Sequence, residues 1–292
     1  MRVAVIIPVH CETHIIQLTL GSLLRACGAK HDLNIHLGVH SNYGDYTKDR
    51  IIFEQFRGVA QFHLIDEVPW LAVDGPRYSR MHAKQLRNLL THIRYYDFDY
   101  VLLLDNDVLI KQDIVSALLA LQPDGDLIAS CRDDQPSLYV RTWPKVDANT
   151  PSEEWVLPQP SPWHLLLSRR LYQAVLAQLS VVDPEFLPAQ ERGRRLQFLD
   201  LYHASRDLPL SIDTCSRLLH ACRFEWPGYA VKLLSATEFD TIAHHFFFSS
   251  FNYGQNVHGI AGHNVYLQTM KATYDREFPN GIDHLLKMQR CK

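Results

Sequence analysis

The residues best equipped for chemistry lie in YVLLLDNDVLI, residues 100–110. Four apolar residues follow Tyr100, Asp105-Asn106-Asp107 interrupts them, and hydrophobicity resumes at once. Carboxylates are rarely buried unless paired or bound to a cation. Side chains at positions i and i+2 of an extended segment share a face, so Asp105 and Asp107 could point into one site. Two hard oxygen donors suit Mg2+ or Mn2+, and Mg2+ typically combines few carboxylates with substrate phosphates. The competing reading is a turn in which Asp105 caps a helix beginning near residue 112.

Such acids need a scaffold, and the preceding segments describe one. VAVIIPV (3–9) is a β-branched run of the kind found in a strand covered on both faces. A helix follows, with Thr13 as N-cap and Ile16, Leu20, Leu23 and Leu24 at helical spacing. LNIHLGV (33–39) reads as a strand, SNYGDYT as a loop, KDRIIFEQF as a short helix and FHLI (62–65) as a strand. The pattern from Tyr78 to about Tyr95 is helical, YVLLL is a strand, Gln112 to Leu121 a helix and DLIASC (126–131) a strand. This alternation predicts an α/β layered fold with a largely parallel sheet. Ligands of such sheets bind beyond the carboxyl ends of the strands. Three polar clusters fall there: His10-Cys11-Glu12, the 40–47 loop and Asp105-Asn106-Asp107.

Residues 132–162 carry six prolines and little periodicity, which predicts a long functional loop or insertion. WHLLLSRRLYQAVLAQL (163–179) reads as a strand turning into a helix, and a second irregular stretch covers about 183–208. Hydrophobic residues at 47% and charged residues at 21% are those of a folded globular chain. A formal net charge of −3 gives no reason to expect nucleic acid as a partner. The basic run Arg192-Gly193-Arg194-Arg195 reads as a solvated loop. Six cysteines without a C-x-x-C pair show neither a zinc ribbon nor a redox motif. The opening is too short for a signal h-region, and no apolar run reaches the length of a membrane span. The expected location is cytoplasmic, with reduced thiols, either free or peripheral at the inner face of a membrane.

The residues also resemble a known family. VAVIIPVHCETHIIQLTLGSLL looks like the opening of family 2 glycosyltransferases, an apolar strand ending in Pro-Val, then an aromatic, a polar residue and Glu. VHSNYGDYT is similar to that family's next strand end, roughly V-D-N-G-S-T-D-G-T, with Asp45 and Thr47 matching. HAKQLRNLL resembles its A-x-x-x-N helix, with Ala83, Arg87 and Asn88 in register, and YVLLLDNDVLI matches the D-x-D strand. Four motifs in order over residues 3–110 are more specific than any one alone. The resemblance implies a GT-A fold, Rossmann-like, with a mostly parallel central sheet flanked by helices. Residues 1–131 would bind a nucleotide-sugar donor, and 132–292 would form the acceptor-side part of the same domain.

Carried over residue by residue, the resemblance makes Pro8 and Glu12 neighbours of the nucleoside and turns Asp45 to the nucleobase. Arg87 and Asn106 join the donor site. Asp105 touches ribose or sugar, and Asp105 with Asp107 holds a Mn2+ or Mg2+ ion bridging the donor phosphates. SPWHLLLSRRLYQAV (161–175) is similar to the acceptor-side segment, and IDTCSRLLHAC (212–222) to the E-D-x-x-L motif whose aspartate is the general base of inverting members. Asp213 would then deprotonate the acceptor hydroxyl. Asp200 and Asp133-Asp134 are rivals, and Asp213 as a helix N-cap is the structural alternative. Many metal-dependent members complete the ion's shell with a C-terminal histidine. TIAHHFFFSSFNYGQNVHGIAGHN offers His244, His245, His258 and His263, and by that analogy His245 is the choice, with His244 and His263 next. Imidazole also bonds phosphate oxygens well.

The chain departs from the pattern at His10, at His40 in place of an acid, and at Ile212 in place of Glu. The base is therefore left open, with UDP the commonest family choice. The expected acceptor is a glycan, a lipid-linked or a small-molecule hydroxyl. Two other functions share the fold. A non-catalytic sugar or nucleotide binder keeps the sheet. A nucleotidyltransferase normally has a Gly-rich phosphate loop after the first strand, where this chain has HCETH.

Overall fold

The structure, a computed structural model, describes residues 1–9, 13–40, 54–65, 77–131, 140–142, 154–156, 160–179, 218–219, 222, 226, 228–246 and 251–291. Its frame is a seven-stranded sheet in the order β10-β6-β9-β4-β1-β2-β3. The strands are β1 (Arg2–Val9), β2 (Asp32–His40), β3 (Ala60–Ile65), β4 (Tyr100–Leu104), β6 (Leu127–Cys131), β9 (Pro160–Ser168) and β10 (Val231–Leu234). β1 pairs in parallel with β2 and β4, β2 with β3, and β10 with β6. β9 alone runs antiparallel, wedged between β4 and β6. The protein is thus α/β with a mostly parallel central sheet.

Alternation along the strands divides the core into two layers. Val3, Val5 and Ile7 of β1 and Leu102 and Leu104 of β4 pack beneath α1 (Thr13–Cys27). Ala4 and Ile6, with Val101 and Leu103, pack beneath α2 (Arg77–His92) and α4 (Arg169–Leu179). Burial on both faces is why these strands are continuous apolar runs rather than alternating ones. The second layer over α1 comes from the C-terminal helices α6 (Phe251–Glu277) and α7 (Asp283–Arg290). Gly21 permits that approach, because a Cβ there would come 2.7 Å from a side-chain carbon of Ile282.

Two short strand pairs complete the described structure: β5 (Val108–Ile110) with β11 (Ala243–His245), and β7 (Val140–Thr142) with β8 (Glu154–Val156). β7, β8 and the first residues of β9 lie within the stretch expected to be irregular. Helix α3 is Ile114–Leu121, and α5 (Ala236–Asp240) opens on a capping box of Ser235 and Glu238. The irregular stretch expected at 183–208 lies outside the described residues.

Where β2 and β3 pass under the end of α2, the sheet carries polar side chains. His36 is fully buried, and its Nδ1 is 3.0 Å from Nε2 of His63. Burial pushes His36 down to about 3 and His63 down to about 4, with the neighbouring imidazoles, His92 among them, adding to the effect. Tyr96 and Gln61, hydrogen-bonded to each other, are the neutral groups alongside. A base whose folded pKa lies below its unfolded value of about 6.5 gives up stability as pH falls below that value, because the unfolded chain takes up the proton first. Melting temperature should therefore decline from about pH 6.5 towards pH 4. Thermal scans across that range should show a shallower decline in His63→Gln than in the native chain.

Candidate functional site

β4 ends at Leu104 and β5 begins at Val108, so Asp105-Asn106-Asp107 forms the link between them. The two acids are brought together by a turn at Asn106-Asp107, not by an extended segment as their spacing alone suggests. Nor does Asp105 cap the next helix. That N-cap is Asp113, whose Oδ1 accepts from the Ser116 N–H of α3 at 3.1 Å.

Two polar side chains on the otherwise apolar inner face of α1 fix this link. The buried Thr19 hydroxyl donates to the Asn106 carbonyl at 2.6 Å and accepts from the Val108 N–H at 3.0 Å. The buried Ser22 hydroxyl accepts from the Ile110 N–H at 2.9 Å. On the other side, β11 pairs antiparallel with β5, His245 opposite Val108, and the Phe246 N–H donates to the Asp107 carbonyl at 3.1 Å. His245 is thereby set next to Asp107. Its Nε2 lies 2.9 Å from Asp107 Oδ1 and 3.6 Å from Asp105 Oδ2. Strand alternation turns His244 the other way, where its Nδ1 meets Asp240 Oδ1 at 2.6 Å.

Asp105, Asp107 and His245 each offer a ligand atom, all within 4.8 Å of one another. Asp107 and His245 are buried, and Asp105 sits at the limit of burial. Two carboxylate oxygens and one imidazole nitrogen fit a divalent ion of the Mn2+ kind, the nitrogen making the set less suited to Mg2+. Burial disfavours a charge on His245, but Asp107 and then Asp105 overcome it and raise its pKa to about 9. Without a cation, an imidazolium thus supplies positive charge between the acids. A cation taking His245 as ligand must expel that proton. Binding should accordingly release about one proton at neutral pH, and affinity should rise roughly tenfold per pH unit between about 6 and 8. Calorimetry of Mn2+ binding in buffers of different ionisation heat reads this directly. His245→Gln should abolish the proton release and weaken binding at least about tenfold.

Two residues at the site escaped the sequence reading. The Tyr266 hydroxyl, on α6, donates to Asp107 Oδ2 at 3.0 Å, and nothing local in the sequence marks it. His164 of β9, opposite Leu104, lies edge-on to His245 with ring centres 5.4 Å apart and stacks on Phe239. Burial, then the charge of His245, holds His164 well below the usual imidazole range. A histidine opening the apolar run HLLL was the available signal.

The other expected residues are spread more widely. Pro8 is the penultimate residue of β1. The register Ile6 against Leu103 brings it to the level at which Asp105 leaves β4. Arg87 is half-buried on α2, and Asn106 is fully buried. Neither belongs to the three-residue cluster. Glu12, Asp45, Asp213, Ile212, Asp200 and Asp133-Asp134 lie outside the described residues, as do the side chains of His40, His258 and His263.

No protein-family model matches the chain, and no match is found among curated proteins. Solved structures overlap it loosely. A mannosyltransferase from Pyrobaculum calidifontis, in complex with GDP-Man and Mn2+, matches at 17% identity and TM-score 0.38 over 59% of this chain and 46% of its own. A nucleoside-diphosphate-sugar pyrophosphorylase from Vibrio cholerae matches at 11% identity and TM-score 0.43 over 92% of this chain and 100% of its own. A 4-diphosphocytidyl-2C-methyl-D-erythritol synthase from Anaerococcus prevotii gives 12% identity and TM-score 0.41 over 80% and 86%. The chain spans less than half of the mannosyltransferase. Overlap this loose carries no argument about the reaction, and the architecture rests on the strand order above. Among the described residues, no helix is long and apolar enough to cross a membrane.

Proposed function

We propose that this chain is a cation-dependent glycosyltransferase. It moves a sugar from a nucleotide-diphosphate donor, a UDP-sugar first of all, to an acceptor hydroxyl with inversion. The observation that carries the reading is the buried Asp105-Asp107-His245 cluster at the carboxyl end of β4. β1 lies beside β4 there, and the chain's crossovers depart to opposite sides, which is where open α/β sheets bind ligands.

Asp105, Asp107 and His245 would hold Mn2+, which when bound offsets the charge that develops on the departing nucleoside diphosphate. The rest falls to the chain itself. Pro8 and Glu12 border the nucleoside, Asp45 selects the base, and Arg87 and Asn106 complete the donor site. Asp105 also orients ribose or sugar. Asp213 removes the acceptor's proton as its oxygen attacks the anomeric carbon. Tyr266, bonded to Asp107, fixes the carboxylate that faces the diphosphate. Residues 1–131 serve the donor, and 132–292 serve a glycan, lipid-linked or small-molecule acceptor.

The test is release of UDP from a panel of UDP-sugars with Mn2+ present, since slow hydrolysis exposes the donor even without an acceptor. Release that requires Mn2+ supports the reading. A donor that raises the melting temperature yet is never cleaved would make the chain a binding protein. Pyrophosphate formed from a nucleoside triphosphate and a sugar 1-phosphate would make it a nucleotidyltransferase.

A further inference from the structure

We infer that His164 is a positioning residue of the cation site, a buried abutment that holds the His245 ring with its Nε2 turned to the acids. The inference rests on the cation site of the reading above and deepens it. Pairing of β11 with β5 places the His245 backbone, but it does not set how the ring turns. The outer torsion of a histidine side chain has broad, shallow preferences, so a ring standing against it is what restricts it. His164 stands there. The two ring centres are 5.4 Å apart, and the planes are nearly perpendicular at 88°.

Its own surroundings keep His164 still. The ring stacks on Phe239, centres 3.9 Å apart and planes 27° from parallel. Nδ1 lies 3.3 Å from the hydroxyl oxygen of the buried Ser130. On the other side, backbone pairing sets His164 opposite Leu104, the residue before Asp105. Ser130 meets the ring where β6 and β9 lose register. Ala129 pairs with Leu165 and Cys131 with Pro160, so β9 passes residues 161–164 while β6 passes Ser130 alone. Irregularities of this kind beside ligand sites re-aim side chains.

Packing alone does not account for a histidine at this position. His164 is 2% exposed, and among the described residues its Nε2 has no hydrogen-bond partner. An unpaired buried nitrogen is a cost to the fold and calls for an explanation. Leu165, Leu166 and Leu167, buried just after it, show what packing selects on this strand. Histidine supplies what leucine cannot: a flat ring for His245 to abut and a nitrogen for Ser130 to fix. Holding a ligating imidazole in orientation is what the outer groups of metal sites do, and losing one weakens the metal by about 10–100-fold.

Mn2+ titration calorimetry on His164→Leu, with a thermal scan of the cation-free protein, tests this. The variant should melt no lower than the native chain, since the unpaired nitrogen is gone, while Mn2+ affinity falls about tenfold. On a His245→Gln background, where the ring to be held is absent, the same substitution should cost less than about twofold. A merely structural change would instead carry its full loss into both backgrounds. His164→Phe, which keeps a flat ring without the Ser130 contact, should retain part of the affinity, and it serves as the test if the leucine variant folds poorly. Native Mn2+ affinity in the His164 variants, or an undiminished loss on the His245→Gln background, overturns the role and leaves the cation site standing. A native chain that takes up no Mn2+ overturns the site and the role together.

Discussion

Asp107→Ala should lower Mn2+-dependent UDP release by roughly 10³-fold, the scale of several kcal/mol expected when a catalytic cation loses a principal carboxylate. Asp107 is 1% exposed and makes three contacts of different kinds: with His245, with the Tyr266 hydroxyl and with the Phe246 N–H through its backbone. Alanine keeps only the last. Removing one partner of a buried ion pair can cost about 3–5 kcal/mol. Here the cost should be nearer 1–3 kcal/mol, because His245 can shed its proton once Asp107 no longer holds it. Asp107→Asn separates charge from shape, since it retains the volume and an acceptor for Tyr266 but not the negative charge. Both variants should lose the rise in melting temperature that Mn2+ gives the native chain. An asparagine variant that still binds Mn2+ and still releases UDP at the native rate would remove the carboxylate from the mechanism.

Thr19→Val is expected to destabilise the fold by about 2–6 kcal/mol with almost no change in side-chain volume. One hydroxyl serves the Asn106 carbonyl and the Val108 N–H, and the residue is fully buried. Valine leaves both backbone groups without that partner, at about 1–3 kcal/mol each. Thr19→Ser should recover most of the loss because it restores the hydroxyl and lacks only a methyl. Urea unfolding reads the difference as a shift of midpoint at constant slope. Mn2+ affinity should weaken alongside, since the turn carrying both acids is the structure Thr19 fixes. Full stability in the valine variant would show that α1 does not hold this turn.

Much of this was legible because burial on both faces leaves a plain record. VAVIIPV and YVLLL can be little other than inner strands, and the helices between them carry the 3.6-residue period. Direction is another matter. PSPWHLLLS is as apolar as its neighbours, and hydrophobicity alone does not reveal that β9 runs against β4 and β6. Its two prolines favour a loop over a strand. The paired acids stood out, but the turn that joins them did not, because D-N-D fits either a strand end or a turn. Asp113, the cap of α3, is legible in principle because it lies just before IVSALLAL, but Asp105 and Asp107 are the more conspicuous acids of the stretch. Of the four histidines in residues 241–264, a sequence resemblance favours His245. Its place beside the acids depends on the pairing of two three-residue strands, too short to leave a periodic trace. Tyr266 is further still from local inference, since α6 has polar and apolar residues around its whole circumference.

The pairing of β5 with β11 also orders events in time. His245 leaves the ribosome long after the acids, so the donor set is complete only once the long stretch between them has been made. Closing so long a loop is an entropic expense that the folding nucleus is poorly placed to meet early. A cation that needs all three side chains will therefore act after the barrier has been crossed. It should slow unfolding and leave the folding rate nearly unchanged, which stopped-flow traces with and without Mn2+ can display. In that role the ion is a latch, engaged once the two distant strands β5 and β11 have found each other and released only when they part.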